Sequence, residues 1–227
     1  MKKIIIFGLT DFEKRLKYYI EKYTNDQVVA FTVNKQFIKL KTFEGKPVID
    51  FESIESYYNI EEYEILIGIG YKDMNSLRKR IVLEAIDKGY KLYTFIHPNS
   101  LIDDSVCIDE GNIIMSGVII DYNVKIGKSN IIEIGCNIAH ETLINDYNYF
   151  APSVSIGGKV KIKNNSFFGL NATIRSAITV NNYSLIGAGC YLNKSTKEYG
   201  VYVPAKSTLL KKNSTEINIL YEERIYK

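Results

Sequence analysis

An apolar residue recurs at every sixth position from Ile102 to Leu192: Ile102, Ile108, Ile114, Ile120, Ile126, Ile132, Ile138, Ile144, Phe150, Ile156, Ile162, Phe168, Ile174, Val180, Ile186 and Leu192. With 46% of the chain apolar, sixteen such positions in a row would arise by chance on the order of a few times in a hundred thousand, even allowing six frames. The segment is therefore an internal repeat. Helices repeat at about 3.6 residues and strands at about 2, so a period of six describes something larger than one element. If each hexad is a short strand with its turn, three hexads close a triangular coil of 18 residues, and each apolar side chain stacks on its counterpart one coil later. The prism is then filled by its own ladder of Ile.

A second column agrees. The position four after each apolar one, running from Val106 and Asn112 through Cys136 and Asn148 to Thr196, is never charged or aromatic, as a compact buried site near a corner requires. The residue directly after the apolar one is often Gly, Asn or Asp, as at Gly127, Gly157, Gly169, Gly187, Asn145, Asn181 and Asn193. Those types accept the backbone angles of tight turns, so the turn strain is expected there.

Before the repeat, residues 3–8 read as a buried strand, followed by a helix through Lys22 whose start carries Thr10 and Glu13 at capping-box spacing. Strands are expected at 28–33, 64–69 and 91–96, and a helix at 74–88 with its apolar face at Ile81, Leu83 and Ile86. Strands alternating with helices predict a small parallel α/β sheet. The turn after its first strand, Gly8-Leu9-Thr10-Asp11-Phe12-Glu13, has one glycine and two acids, so a dinucleotide fingerprint is absent and pyrophosphate docking there is disfavoured. Gly68-Ile69-Gly70-Tyr71 is a second strand end that permits close backbone approach, or simply a turn.

A net charge of +3, with Lys and Arg interspersed among Asp and Glu, leaves no electrostatic footprint for nucleic acid. No apolar run approaches a membrane span, and the chain's start reaches Asp11 too soon for a signal-peptide core, so a cytoplasmic protein is expected. Cys107, Cys136 and Cys190 have no ligand-like spacing and read as free thiols.

Only two histidines exist, His97 and His140. His140 stands in the outward half of its hexad and is followed by Glu141, a carboxylate able to orient it, which makes it a candidate general base. One coil of 18 residues beyond lies Gly158, so the two should be stacked neighbours. A glycine there either exposes its N–H to a bound acyl group as an oxyanion donor or merely turns a corner beside Gly157. His97 precedes Pro98 at the junction before the repeat, where a structural role is expected.

Taken together, the α/β segment, His97-Pro98-Asn99-Ser100, Asn137-Ile138-Ala139-His140-Glu141, the run from Ala151-Pro152 through Ser155-Ile156-Gly157-Gly158-Lys159-Val160-Lys161-Ile162, and Val203-Pro204-Ala205-Lys206 resemble a known family over nearly the whole chain. It is that of the bacterial hexapeptide-repeat nucleotide-sugar acetyltransferases, related to the bacillosamine-pathway N-acetyltransferase and to sialic acid O-acetyltransferase. The resemblance implies α/β plus β-solenoid architecture: a Rossmann-like sugar-nucleotide domain over residues 1–99, a left-handed parallel β-helix over 100–196 and a C-terminal extension over 197–227. It further implies a homotrimer that binds acetyl-CoA between neighbouring helices and uses no metal.

Carried over residue by residue, His140 matches the family's general base, Glu141 the acid beside it and Gly158 the glycine whose amide faces the acetyl carbonyl. Leu170, Ser176 and Ala188 match positions along the pantetheine arm. Lys206 either approaches the far end of the coenzyme or sits in solvent. Gly8, Leu9, Thr10, Lys35, Gly70 and Tyr71 are the candidates to meet the nucleotide-linked sugar, and Lys35 either meets its diphosphate or is solvated. The chain departs from the family at Glu133 and Tyr149, where many members carry Asn and a second His, and at Asn34-Lys35, where an acidic pair is common.

The implied function is acetyl-CoA-dependent N-acetylation of a nucleotide-linked amino-dideoxy sugar for surface-glycan (O-antigen, capsule or glycoprotein) biosynthesis. The alternatives are O-acetylation of a sugar or sialic acid, and a non-catalytic trimeric binding module. A three-histidine zinc site of the carbonic-anhydrase type lacks its ligands. The tail carries apolar residues at Ile217, Ile219, Leu220 and Tyr221 with no evident partner.

Overall fold

The computed structural model describes residues 1–207, 209, 211 and 213–216, so the apolar tail at 217–221 lies outside the described residues. The chain opens with β1 (Lys3–Phe7), α1 (Asp11–Tyr23), β2 (Gln27–Val33), β3 (Thr42–Phe43), β4 (Lys46–Asp50), β5 (Tyr63–Ile67), α2 (Ser76–Asp87) and β6 (Lys91–Leu92). The six strands form one sheet in the order β3-β4-β2-β1-β5-β6, parallel except for the β3–β4 pair. β1 is central and its Ile4, Ile5 and Ile6 are fully buried, as an unbroken apolar run in a parallel strand requires. The capping box forms as expected, with Thr10 at the N-cap and Glu13 reaching back to it.

Two expectations for this domain need correction. The buried face of α2 is Arg78, Ile81, Val82 and Ala85, whereas Leu83 and Ile86 are exposed. Residues 78, 81, 82 and 85 share one helical face by three- and four-residue spacing, and 83 and 86 fall outside it. The strand expected across 91–96 is divided. Lys91–Leu92 joins β5, while Phe95–Ile96 pairs with Ile113–Ile114 and so begins the repeat one hexad before Ile102.

From there the chain winds as a left-handed parallel β-helix of two-residue strands. Its strands fall into three parallel sheets, and pairings join residues 18 apart, such as Ile120 with Ile138 and Ile138 with Ile156, except in the last coil, where Ile186 pairs with Tyr202. The first sheet contains Ile113–Ile114, Ile131–Ile132, Tyr149–Phe150 and Phe167–Phe168; the second Ile119–Ile120, Asn137–Ile138, Ser155–Ile156 and Thr173–Ile174; the third Lys125–Ile126, Leu143–Ile144 and Lys161–Ile162. The hexad side chains fill the prism, with Phe150 and Phe168 stacked at 4.6 Å. The residues leading into the first sheet form a polar ladder inside this core. Asn130 N–H donates to Asn112 Oδ1, Asn148 N–H to Asn130 Oδ1 and Ser166 N–H to Asn148 Oδ1, so each buried amide is satisfied by the next coil.

Left-handed backbone occurs at the third residue after each hexad position, from Gly111 to Gly189, and not at the first as expected. Gly157, which follows Ile156, is needed for a different reason: a Cβ there would lie 2.6 Å from the Ser176 nitrogen in the coil above. It permits close stacking, not a special turn.

The α/β domain lies against the outer surface of the first sheet. Ile113, Met115, Ile131 and Tyr149 point outward yet are buried, because they share a core with Ile4, Leu16 and Phe31. Arg78 fastens the two parts. Its five N–H groups meet five carbonyls: Nε that of Ser129, Nη1 those of Ile69 and Gly70, Nη2 those of Tyr147 and Asn148. Burial pushes this guanidinium down to about 9, which leaves it charged at neutral pH.

Candidate active site

His140 occupies the turn that follows Asn137–Ile138 and leads from the second sheet to the third. Its ring is half exposed, and Nδ1 lies 3.1 Å from Glu141 Oε2. A carboxylate can only accept, so this contact holds the proton on Nδ1 and leaves the lone pair on Nε2. Glu141 is held below the usual carboxylate range, first by its hydrogen bond with His140 and also by Lys159, whose Nζ is 3.4 Å away. It therefore stays ionised at neutral pH. Lys159 was missed in the sequence, although it stands one coil after Glu141 and the 18-residue step would have found it.

The other ring edge faces Gly158. A Cβ built at Gly158 would lie 2.6 Å from His140 Nε2 and 2.8 Å from Cε1, so only glycine leaves the imidazole its position. The Gly158 carbonyl is taken by Ala177 N–H at 2.9 Å, whereas its own N–H donates to nothing among the described residues. A base nitrogen with a free lone pair thus stands beside a free backbone donor, which is the pairing that acyl transfer to an amine or hydroxyl requires. Gly158→Ala should displace the ring and lower kcat/KM about 10²-fold, the usual cost of misplacing a catalytic group by an ångström. Steady-state kinetics would show it, and unchanged kcat/KM would mean the close approach has no catalytic use.

Ser176 stacks in the same corner column, one coil above Gly158. Leu170 and Ala188 do not. They turn the corner between the first and second sheets, with Gly189 N–H bonded to the Leu170 carbonyl, and both are exposed. Exposed Lys206 follows Val201–Tyr202 and Pro204 at the top of that corner. The two columns therefore border the second sheet from opposite sides of one chain.

The first-domain candidates are also divided. Gly8, Leu9 and Thr10 line a hollow of about 440 Å³ at the carboxyl edge of the sheet. Lys35 borders an adjoining hollow with Glu52, whose Oε2 accepts the Lys35 N–H. Glu52 is pulled down to about 2, chiefly by its hydrogen bond with Asp50. Glu52, remote in sequence, thus places an acid beside Asn34 and Lys35 at the end of β2. Gly70 gives its carbonyl to Arg78, and Tyr71 packs edge-on against Tyr149 at 5.0 Å and against Phe167 at 4.9 Å.

Glu133 and Tyr149 lie under the first domain, away from the His140 corner. Glu133 Oε1 accepts from Arg15 Nη2 at 2.7 Å and from the Tyr149 hydroxyl at 3.3 Å. His97 is buried against Tyr19 and Tyr23 of α1, and burial lowers its affinity for a proton. Among the described residues no group of three or more His, Cys, Asp and Glu could hold a metal ion, and no helix is long and apolar enough to cross a membrane.

No protein-family model matches the chain, and no curated protein matches it in sequence. Solved structures do match it in three dimensions. A mutant of GDP-perosamine N-acetyl transferase from Caulobacter crescentus, in complex with CoA and GDP-perosamine, superposes with a TM-score of 0.80 at 22% identity, covering 88% of this chain and 93% of that one. The acetyltransferase domain of PglB from Neisseria gonorrhoeae, in complex with acetyl coenzyme A, gives 0.77 at 21% identity over 86% and 92%. WeeI from Acinetobacter baumannii gives 0.75 at 22% identity over 89% and 94%. The chain therefore shares its fold with these proteins over 86–89% of its length: a small α/β domain joined to a left-handed parallel β-helix.

Proposed function

We propose that the protein is an acetyl-CoA-dependent N-acetyltransferase that acts on a nucleotide-linked amino sugar, in the cytoplasm, for surface-glycan biosynthesis. The observation that carries this reading is the His140–Glu141–Gly158 cluster: an oriented base whose free nitrogen stands next to an unused backbone donor. The fold shared with an enzyme crystallised with CoA and GDP-perosamine supports the choice of both substrates. In the proposed reaction His140 Nε2 accepts a proton from the acceptor amine as the amine's nitrogen bonds to the acetyl carbonyl carbon. Gly158 N–H donates to the carbonyl oxygen as it gains charge, and the coenzyme leaves as its thiolate. Glu141 holds the imidazole through both steps.

The reading also needs more than one copy of the chain. The first domain covers the first sheet, whereas His140 turns the corner between the second and third, so the nucleotide hollow and the base lie on opposite sides of one prism. A sugar held by one protomer is then reached by His140 of another. The second sheet presents an uncharged column, Leu101, Ile119, Asn137, Ser155, Thr173 and Tyr191, flanked by the two corner columns, which suits lateral packing of prisms around a shared cleft. Light scattering is expected to give the mass of three chains at micromolar concentration. A monomer that retains activity would overturn the shared cleft.

The function itself is tested by incubating the protein with acetyl-CoA and a panel of UDP-, dTDP- and GDP-linked amino sugars while free thiol is measured. Release above the background rate with one of them is expected. A background rate with all of them would overturn the proposal.

A further inference from the structure

A nucleotide-binding α/β sheet ordinarily seats phosphate at the start of the helix that follows its first strand, where N–H groups and the helix dipole face the ligand. Here that place is filled from within. Glu13 folds back so that its Oε2 accepts from Thr10 N–H and Thr10 Oγ1, both at 2.6 Å, and the residue is almost wholly buried. A Cβ at Gly8 would strike the carboxylate, and one at Gly68 would lie 2.7 Å from Oε1. The two glycines thus make room for a carboxyl group that takes the donors a phosphate would need.

The hollow of about 440 Å³ that Gly8, Leu9 and Thr10 line offers a different arrangement. Leu9, Val33, Phe37, Ile69, Leu77 and Ile81 give it an apolar lining that suits a nucleobase. Two cations, Lys72 and Arg80, stand among its lining residues, against one acid, Asp73. Lys72 has no ion pair among the described residues, and Arg80 has only a long contact of 3.9 Å with Glu84. The backbone on either side of Lys72 is also held in place. The three residues after it, Asp73, Met74 and Asn75, all take left-handed backbone, at φ of 52°, 49° and 64°. Such a run persists only where surrounding contacts enforce it. The β-helix enforces it here: Asn75 Nδ2 donates to the Ser166 carbonyl and Asn165 Nδ2 to the Met74 carbonyl, while Arg78 grips Ile69 and Gly70.

We infer that Lys72 and Arg80 bind the diphosphate of the nucleotide-linked acceptor, with the base in the apolar hollow and Glu13 barring phosphate from the start of α1. The inference rests on the proposed function and adds to it the residues that hold the acceptor. Tyr71, next to Lys72 and packed on Tyr149 and Phe167, then offers the attached sugar an aromatic platform toward the β-helix.

Calorimetry on the full-length protein tests this with UDP, dTDP and GDP, with the parent nucleosides, and with acetyl-CoA as a control. The wild type should bind at least one of the diphosphates. Lys72→Ala and Arg80→Ala should each weaken that binding about tenfold or more, as loss of a charge-assisted contact to phosphate does, and leave acetyl-CoA affinity unchanged. Both side chains are exposed, so the fold should survive, and the acetyl-CoA control reads that directly. Diphosphate affinity unchanged in both variants would overturn the inference alone. Wild-type protein that binds acetyl-CoA but none of the diphosphates would overturn the inference and the proposed acceptor class together. A loss of nucleoside binding equal to the loss of diphosphate binding would assign the two cations to the base, and would also overturn it.

Discussion

His140→Ala is expected to lower kcat about 10²–10⁴-fold while leaving the affinity for acetyl-CoA near wild type, because removing a general base slows proton transfer without removing a binding contact. The smaller end of that range applies if the acceptor is an amine, which attacks without full prior deprotonation more readily than a hydroxyl does. The geometry also predicts the behaviour of Glu141→Gln. An amide can present its NH₂ or its oxygen to Nδ1, so the tautomer is no longer fixed and kcat should fall, but by less than for His140→Ala. Stopped-time assays across pH 6 to 9 would measure both. Wild-type kcat for His140→Ala on the true acceptor would reduce His140 to an exposed turn residue.

Arg78→Met should cost about 3–5 kcal/mol, because several buried carbonyls lose their donor at once and each left unsatisfied costs about 1–3 kcal/mol. The reason is visible in the donor count. All five guanidinium N–H groups are used, on carbonyls from both domains, so the methionine would leave five acceptors, three of them buried, to find water or go without. Arg78→Lys should recover little of the loss, since a single ammonium has three donors and cannot span carbonyls on both sides of the joint. Urea denaturation at fixed protein concentration is the measurement. A large fall in midpoint is expected for both variants, and a change below about 1 kcal/mol would mean the joint does not depend on this residue.

The prism was legible because its rule is one-dimensional: each coil meets only its neighbours, so a six-residue period reports burial directly. The His140–Gly158 contact was legible for the same reason, being a step of one coil. Arg78 was not. On its helix an arginine reads as solvent-facing, and nothing local reveals that five carbonyls converge on it from three separate segments. The misjudged face of α2 has the same origin, because the prism and β5, not the helix's own pattern of Ile and Leu, decide which side is covered.

The sequence carries one further signal. The outward positions of the first sheet, Phe95, Ile113, Ile131, Tyr149, Phe167 and Leu185, are all apolar, whereas those of the third sheet include Lys125 and Lys161. An apolar column on an outward face marks a surface covered by something else, here the α/β domain. Glu13 illustrates a partial success. Its charge argued against a phosphate at α1, but only the structure shows its carboxylate wedged between Gly8 and Gly68.

The most direct test of the account is the mass of the product formed from acetyl-CoA and the nucleotide-linked amino sugar that supports thiol release. The expected product is a nucleotide sugar heavier by one acetyl group, attached at the sugar nitrogen, formed by the wild type and at least about a hundredfold more slowly by His140→Ala. Thiol release with no acetylated sugar, or acetylation at equal rates in the two proteins, would contradict it.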